Sequence, residues 1–199
     1  MGMTQVELRI TRAGPDDTGP LPATLVEDLR SDHAGETGAV MIYRGILAVT
    51  RDAGLRHFAQ DHLATESRHL AELEPLLSRR QQSRLLPLWR VAGWLTGALP
   101  ALIGPRTVFA TIEAVETFVD LHYAEQLESI ERQDPARTHA SLQALRALLE
   151  SCRCDEVAHR DEAAALFVLG GSPPSLALRA WLGMVGTGSR VAVKICRRF

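Results

Sequence analysis

The chain has 199 residues, of which 46% are hydrophobic and 23% are charged, a balance typical of one globular domain with a hydrophobic core. The formal net charge of −2 argues against nucleic-acid binding, and three cysteines are too few for a disulfide framework and favour a reducing compartment. The polar N-terminal segment predicts no secretion signal, and the lack of 18 uninterrupted apolar residues argues against a transmembrane helix.

The predicted elements are almost all helical. Residues 1–20 contain Gly, Pro and acidic side chains and are expected to form a flexible arm. Apolar residues then follow the helical period, and strand patterns are nearly absent. Glycine or proline interrupts the helical pattern and divides it into four long helices, each about 40–50 Å in length. The predicted helices span residues 22–51, 53–80, 106–133 and 136–168.

The connections between these helices predict the topology. The first and second pairs are joined by short links, so each pair forms an antiparallel hairpin, and a long crossover joins the hairpins. The prediction is an all-α fold in which residues 21–199 form a single ferritin-like four-helix bundle. The hydrophobic crossover segment is 85–104, and an amphipathic C-terminal helix lies within 175–199.

The crossover and the C-terminal segment are both apolar and free of acidic residues. Five arginines and no acid lie between Glu74 and Glu113, and residues 163–199 contain five basic side chains and no acid. This charge pattern suits an anionic membrane surface. Fourteen residues from Val91 to Gly104 are too few to cross ~30 Å as a helix, so the protein is expected to lie on the membrane. Core helices or an oligomer contact are the alternative.

Each long helix carries a carboxylate on its apolar stripe, where a core side chain would be expected. Two of the helices add a histidine one turn later, as Glu-x-x-His. Buried carboxylates are costly without compensating charge, and no matching set of inward Lys or Arg is visible. A centre of two divalent iron or manganese ions is the natural compensation, with solvated helix faces as the alternative. The candidate ligands are Glu36, Glu66, His69, Glu116, Glu156 and His159.

Several neighbours of these ligands are candidates for supporting roles. Asp32 and Asp120 could orient ligand imidazoles by hydrogen bonds, with a partly solvated carboxylate as the alternative. Glu113 is the main rival to Glu116, because it lies one turn earlier on the same helix. His62, one turn before Glu66, could touch the site, although the residues alone give it no defined role.

Five motifs give the chain a family resemblance. They are DHAGETGAVMIY (32–43), ESRH (66–69), PLWRVAGWLTGA (87–98), AVETFVDLHY (114–123) and DEVAH (155–159). With these motifs the chain resembles the demethoxyubiquinone hydroxylase family over about residues 24–199. The resemblance implies the same six metal ligands and places His122 and Tyr123 beside the irons. The chain departs from the family at Leu121-His122, where two consecutive histidines are usual, so the surroundings of the metals can differ.

The resemblance also implies a reaction and its components. Two Fe ions and O₂ would hydroxylate the ring of a demethoxyubiquinone or demethoxyubiquinol, with NADH or the quinol itself as reductant. The implied partners are a polyisoprenoid quinone, the membrane surface and other ubiquinone-biosynthesis proteins. A homo-oligomer is compatible with the sequence. The expected location is the cytoplasm, peripherally on the inner (cell) membrane. Alternatives are a ferritin-like iron-oxidising protein, a di-iron hydroxylase of another lipid or quinone, and a metal-free lipid carrier.

Overall fold

The helices of this chain pack with the carboxylate-bearing stripes turned inward. The structure is a computed structural model that describes residues 21–171 and 173–199, and the predicted arm at 1–20 lies outside them. The described residues form six α-helices and no β-strand, which confirms the all-α bundle. The helices are α1 (Ala23–Val49), α2 (Ala53–Leu73), α3 (Leu86–Ile103), α4 (Pro105–Gln133), α5 (Ala140–Leu169) and α6 (Leu176–Cys196).

Two helix ends differ from the predicted ones for local reasons. α2 ends at Leu73 rather than near residue 80, because Pro75 converts the chain into a short 3₁₀ turn over Glu74–Leu76. α5 begins four residues later than predicted. There the Asp134 carboxylate accepts hydrogen bonds from the backbone N–H groups of Thr138 and His139 and holds this stretch as a loop.

Two apolar clusters lie on either side of the carboxylates. One contains the start of α1, the end of α2, the second half of α4 and the start of α5, with Leu29, Leu73 and Leu145 fully buried. The other contains the opposite halves of the same helices, including Ile46 and Ile112. Each of the four helices therefore has a polar layer between two apolar ones. These clusters support the bundle at both ends of that layer.

The crossover is a helix that lies unusually close to α1. A Cβ added at Gly93 would collide with the carbonyl oxygen of Gly38, and one added at Gly97 would collide with that of Ile42. The residue numbers rise together along the two helices, so α1 and α3 run parallel. Glycine is required at Gly93 and Gly97 because only its missing side chain allows backbones to approach this closely.

The outward face of α3 is apolar. Within the described residues, α3 is the one helix long and apolar enough to cross a membrane by length and composition. Its tight pairing with α1 keeps its other face within the bundle. The exposed apolar side chains of α3 are Leu88, Val91, Trp94, Leu95, Leu99, Leu102 and Ile103.

The C-terminal helix α6 returns across the bundle and is tied at both ends. The indole of Trp181 donates to the Thr111 hydroxyl at 2.9 Å and packs against an apolar cluster. Arg197 pairs with Asp28 at 2.8 Å near the other end. The partly buried ring of Trp181 is therefore held against the bundle.

Candidate metal centre

All six predicted ligands meet in the polar layer. They form two groups, within each of which one ligand atom per residue lies within 4.8 Å of the others. Both groups contain Glu66 and Glu156, and Glu116 rather than its rival Glu113 takes part. One group is Glu36, Glu66, His69 and Glu156, and the other is Glu66, Glu116, Glu156 and His159.

The candidate ligand atoms are buried and converge without aligned hydrogen bonds to one another. The Nδ1 atom of His69 lies 3.0 Å from a carboxylate oxygen of Glu156, and that of His159 lies 3.1 Å from one of Glu66. Neither nitrogen has an aligned hydrogen-bond partner, nor do the converging oxygens of Glu36, Glu66 and Glu156. Buried polar atoms are normally satisfied. Unsatisfied nitrogen and carboxylate oxygen atoms that converge in this way fit two bound transition-metal ions.

Crowding of carboxylates perturbs their protonation. Burial, reinforced by the neighbouring carboxylates, raises the pKa values of Glu66 and Glu116 well above the ordinary range. Burial would act in the same way on Glu156, but the imidazoles of His159 and His69 close to its carboxylate outweigh it and lower the pKa of Glu156. Without metal, the layer therefore favours some protonated carboxylates. Metal binding requires their deprotonation.

Two tyrosines hold ligand carboxylates from across the bundle. Tyr123 on α4 donates to Glu36 at 2.6 Å, and Tyr43 on α1 donates to Glu116 at 3.3 Å. Both rings are fully buried. Burial and the nearby carboxylates raise the pKa of each phenol, so both tyrosines remain hydrogen-bond donors. Tyr123 was predicted beside the site, whereas Tyr43, which follows Glu36 at the same spacing as Tyr123 follows Glu116, was not.

The carboxylate that orients a ligand imidazole is Asp155 and not Asp120. The Nε2 atom of His69 lies 3.1 Å from Asp155, which also accepts from Arg68 at 2.7 Å. Asp120 instead pairs with two arginines of α5 at 2.7 Å each. The prediction for Asp120 is therefore wrong, because its position on α4 turns it toward α5 side chains. The position of Asp155 directly before Glu156 in DEVAH was the available signal.

Asp32 and His122 form a separate buried pair. The Nε2 atom of His122 lies 3.0 Å from Asp32, and the amide of Gln126 donates to the same carboxylate oxygen at 2.6 Å. Asp32 therefore orients His122, which is not in either ligand group, rather than a ligand imidazole as predicted. Both residues border the cavity beside the metal layer.

His62 lies against the ligand cluster. Its ring stacks on that of His159 with the centroids 3.9 Å apart. Its Nδ1 lies 3.0 Å from the Tyr43 hydroxyl, and its Nε2 lies 3.0 Å from a carboxylate oxygen of Glu162 at the surface. Burial and the nearby His159 lower the pKa of His62 to about 4, so the ring is neutral near pH 7.

An apolar cavity of about 340 Å³ adjoins the metal layer. The four ligand glutamates lie at its inner end, and α3 and α6 form much of its wall. Small side chains on these two helices, including Gly93, Gly188 and Ala192, border the space. Its volume is within the ~300–1,000 Å³ range of small-molecule sites. A flat apolar molecule could therefore lie between α3 and α6 with one edge at the carboxylates.

Comparison with known proteins gives consistent matches. The profile of a family described as "Ubiquinone biosynthesis protein COQ7" matches residues 23–196. The 3-demethoxyubiquinol 3-hydroxylase of Rhodospirillum rubrum is 36% identical over 187 residues, which are 90% of this chain and 81% of that protein. The mouse mitochondrial NADPH-dependent 3-demethoxyubiquinone 3-hydroxylase is 34% identical over 135 residues, 67% of this chain and 60% of that protein. The Caenorhabditis elegans protein of the same name is 28% identical over 96% of this chain and 98% of its own length.

Proposed function

The chain belongs to the COQ7 family of ubiquinone biosynthesis proteins, and we propose that it is a di-iron monooxygenase that hydroxylates the ring of demethoxyubiquinol with O₂. The observation that carries the proposal is that six buried candidate ligands converge and that four of them, the glutamates, border an apolar cavity. A storage or iron-oxidising site has no need of such a cavity. The relatives named as hydroxylases of the same ring support this choice of substrate.

The ligand set is suited to hold two irons. Glu66 and Glu156 belong to both groups, and together with Glu36, Glu116, His69 and His159 they would hold the ions. Bound irons would supply the reductive activation of O₂ that inserts one oxygen atom into the ring. The electrons would come from NADH, from NADPH as the name of the mouse relative suggests, or from the quinol.

The protein's own side chains would prepare the site. Tyr43 and Tyr123 hold the carboxylates of Glu116 and Glu36 in place, which limits their reorganisation during the reaction. The apolar cavity wall would exclude water and bind the quinol ring. The buried His122–Asp32 pair at the cavity border would offer polar contacts to ring oxygens.

The same proposal places the protein on the inner (cell) membrane, peripherally from the cytoplasm. A polyisoprenoid tail is insoluble in water, so the ring must reach the cavity from the bilayer. Helices α3 and α6 border the cavity, and α3 carries exposed apolar side chains. Basic residues of segments 85–104 and 175–199 would contact anionic lipid. Other ubiquinone-biosynthesis proteins and a second copy of the chain remain proposed partners.

The proposal is tested by iron content and product formation. Purified protein should bind about two irons per chain after anaerobic loading and convert demethoxyubiquinol in detergent, as measured by mass spectrometry. Glu36→Ala, Glu66→Ala and Glu156→Ala should each lower turnover at least about 100-fold, because each removes a ligand. Glu113→Ala on α4 is the matched control and should retain activity. Iron oxidation without hydroxylated quinol would favour the iron-oxidising alternative instead.

A further inference from the structure

The side of the metal layer away from α3 and α6 is closed by polar side chains. Here α2 and α5 face each other, and their backbones are more loosely packed than those of either hairpin. The gap is bridged by two sets of side chains, which we call the α2–α5 seam: His62 with Glu162, and His69 with Arg68 and Asp155. A hydrated cation that approached the metal layer through the α2–α5 seam would meet polar side chains, whereas one that approached through the cavity would meet its apolar wall.

The two sets of side chains in the α2–α5 seam differ in whether an arginine neutralises their carboxylate. Asp155 is already neutralised by Arg68 at 2.7 Å and is held to a ligand imidazole. A carboxylate oxygen of Glu162 lies 3.0 Å from the outer nitrogen of His62, and the Glu162 side chain is 56% exposed to solvent. A carboxylate and an imidazole are good ligands for divalent transition metals. Glu162 and His62 can therefore receive a cation, whereas Asp155 is occupied by a guanidinium.

The position of His62 connects the surface to the centre. Its outer nitrogen faces Glu162, and its ring face covers that of the ligand His159. The imidazole ring of His62 is thus the side chain that lies between the surface carboxylate of Glu162 and the ring of His159. His62 is held in place by a hydrogen bond to Tyr43 and by this stacking contact, both of which a rotation of its side chain would break.

We propose that the His62–Glu162 pair is the port through which divalent metal ions enter and leave the metal centre from the aqueous side. A cation first binds Glu162 and the outer nitrogen of His62, and rotation of His62 then admits it to His159 and the shared carboxylates. The proposal rests on the proposed di-iron function. It gives the centre two separate approaches, one for metal through the seam and one for the quinol through the cavity.

The test measures the rate of metal uptake. Metal-free wild type and Glu162→Gln are mixed with Co²⁺ without O₂, and the visible absorbance of bound Co²⁺ is followed by stopped flow. Release to a chelator is followed in the reverse direction. Glu162→Gln should load and release Co²⁺ about tenfold more slowly, because it removes the first ligand on the route. Glu162→Gln should still bind two ions at equilibrium, because it alters the route and leaves all six ligands in place.

Two control variants distinguish entry at His62 from entry elsewhere on the surface. Asp61→Asn removes a comparably exposed carboxylate next to His62 in sequence, with a side chain 61% exposed, and should load at the wild-type rate. Equal rates for Glu162→Gln and Asp61→Asn would overturn the port and leave the di-iron function intact. If Asp155→Asn were the one variant that loaded Co²⁺ slowly, the proposed port would also be overturned, because metal would then enter beside His69, Arg68 and Asp155. A wild-type protein that takes up no Co²⁺ would contradict the di-iron function and the port together.

Discussion

Tyr43 and Tyr123 make equivalent hydrogen bonds across the bundle, each to a glutamate on the helix that carries the other tyrosine. Each lies seven residues after the ligand glutamate of its own helix, yet each donates its hydroxyl to the glutamate of the other helix. Seven residues are two helical turns, so the glutamate and the tyrosine share a face. The two halves of the site are thus related by an approximate two-fold. His62 breaks this relation, because the equivalent position four residues before Glu156 is Cys152.

The tyrosines should contribute unequally to metal binding. Tyr123→Phe leaves an oxygen of Glu36 without its 2.6 Å donor, and a hydrogen bond to a charged group contributes about 1.5–3 kcal/mol. We expect metal affinity to fall about tenfold or more. Tyr43→Phe removes a longer bond of 3.3 Å and should have a smaller effect. Competitive titration of Co²⁺ against a chelator measures both, and equal losses would contradict the ranking.

The metal-free protein should lose stability as pH rises because of Glu66. Burial and the carboxylates of Glu156 and Glu36 raise the folded-state pKa of Glu66 above its ordinary value of 4.5. A raised pKa means that the stability contributed by the protonated group is complete below about pH 4.5 and declines as pH rises toward the folded pKa. Glu66→Gln, which stays neutral, should therefore be more stable than wild type by a margin that grows from pH 5.5 to pH 8.

Urea unfolding with chelator present measures that margin at each pH. The comparison of variant with wild type cancels the titration of all other groups to first order. Adding Co²⁺ should reverse the order of stability, because the wild type has all its ligands. A margin that is constant with pH would indicate that Glu66 is ionised in the metal-free fold.

A larger side chain on the cavity wall should block the cavity without disturbing the helical bundle. Gly188 borders the cavity, and an added Cβ there would meet no atom within 4 Å. Gly188→Leu should lower kcat/KM for demethoxyubiquinol about tenfold by occupying space needed by the ring. Gly183→Leu is the matched control, since Gly183 lies on the same helix with equally open space and is not among the cavity residues. Similar kinetics for the two variants would exclude this wall as the quinol site.

The outward face of α3 should bind membranes. Leu95 and Leu102 are 41% and 68% exposed, and burial of a leucine side chain contributes about 1.5–3 kcal/mol. The double variant Leu95→Glu, Leu102→Glu should sediment with anionic liposomes at least about tenfold less than wild type while keeping its metal content. Ala71→Glu, at an exposed position on α2, adds a charge elsewhere and should bind normally. Undiminished binding by the double variant would place the membrane contact on another surface.

The sequence alone was sufficient to predict the bundle and the residues that meet in its polar layer. Glu36, Glu66, Glu116 and Glu156 interrupt apolar stripes whose 3- and 4-residue steps define one face of each helix. That face must turn inward to bury its apolar neighbours. The ligand positions therefore follow from local periodicity, which requires no knowledge of how the helices cross.

The partners of residues at the edges of those stripes were decided by the tertiary structure. Asp120 and Asp155 are both acidic residues beside ligand-bearing faces, yet one pairs with Arg153 and Arg160 and the other with His69. Periodicity places a side chain on its own helix but not against a particular side chain of the next one. That choice depends on the rotation and spacing of packed helices, so the contacts of Asp155, Tyr43 and the His62–Glu162 pair follow only from the assembled helices.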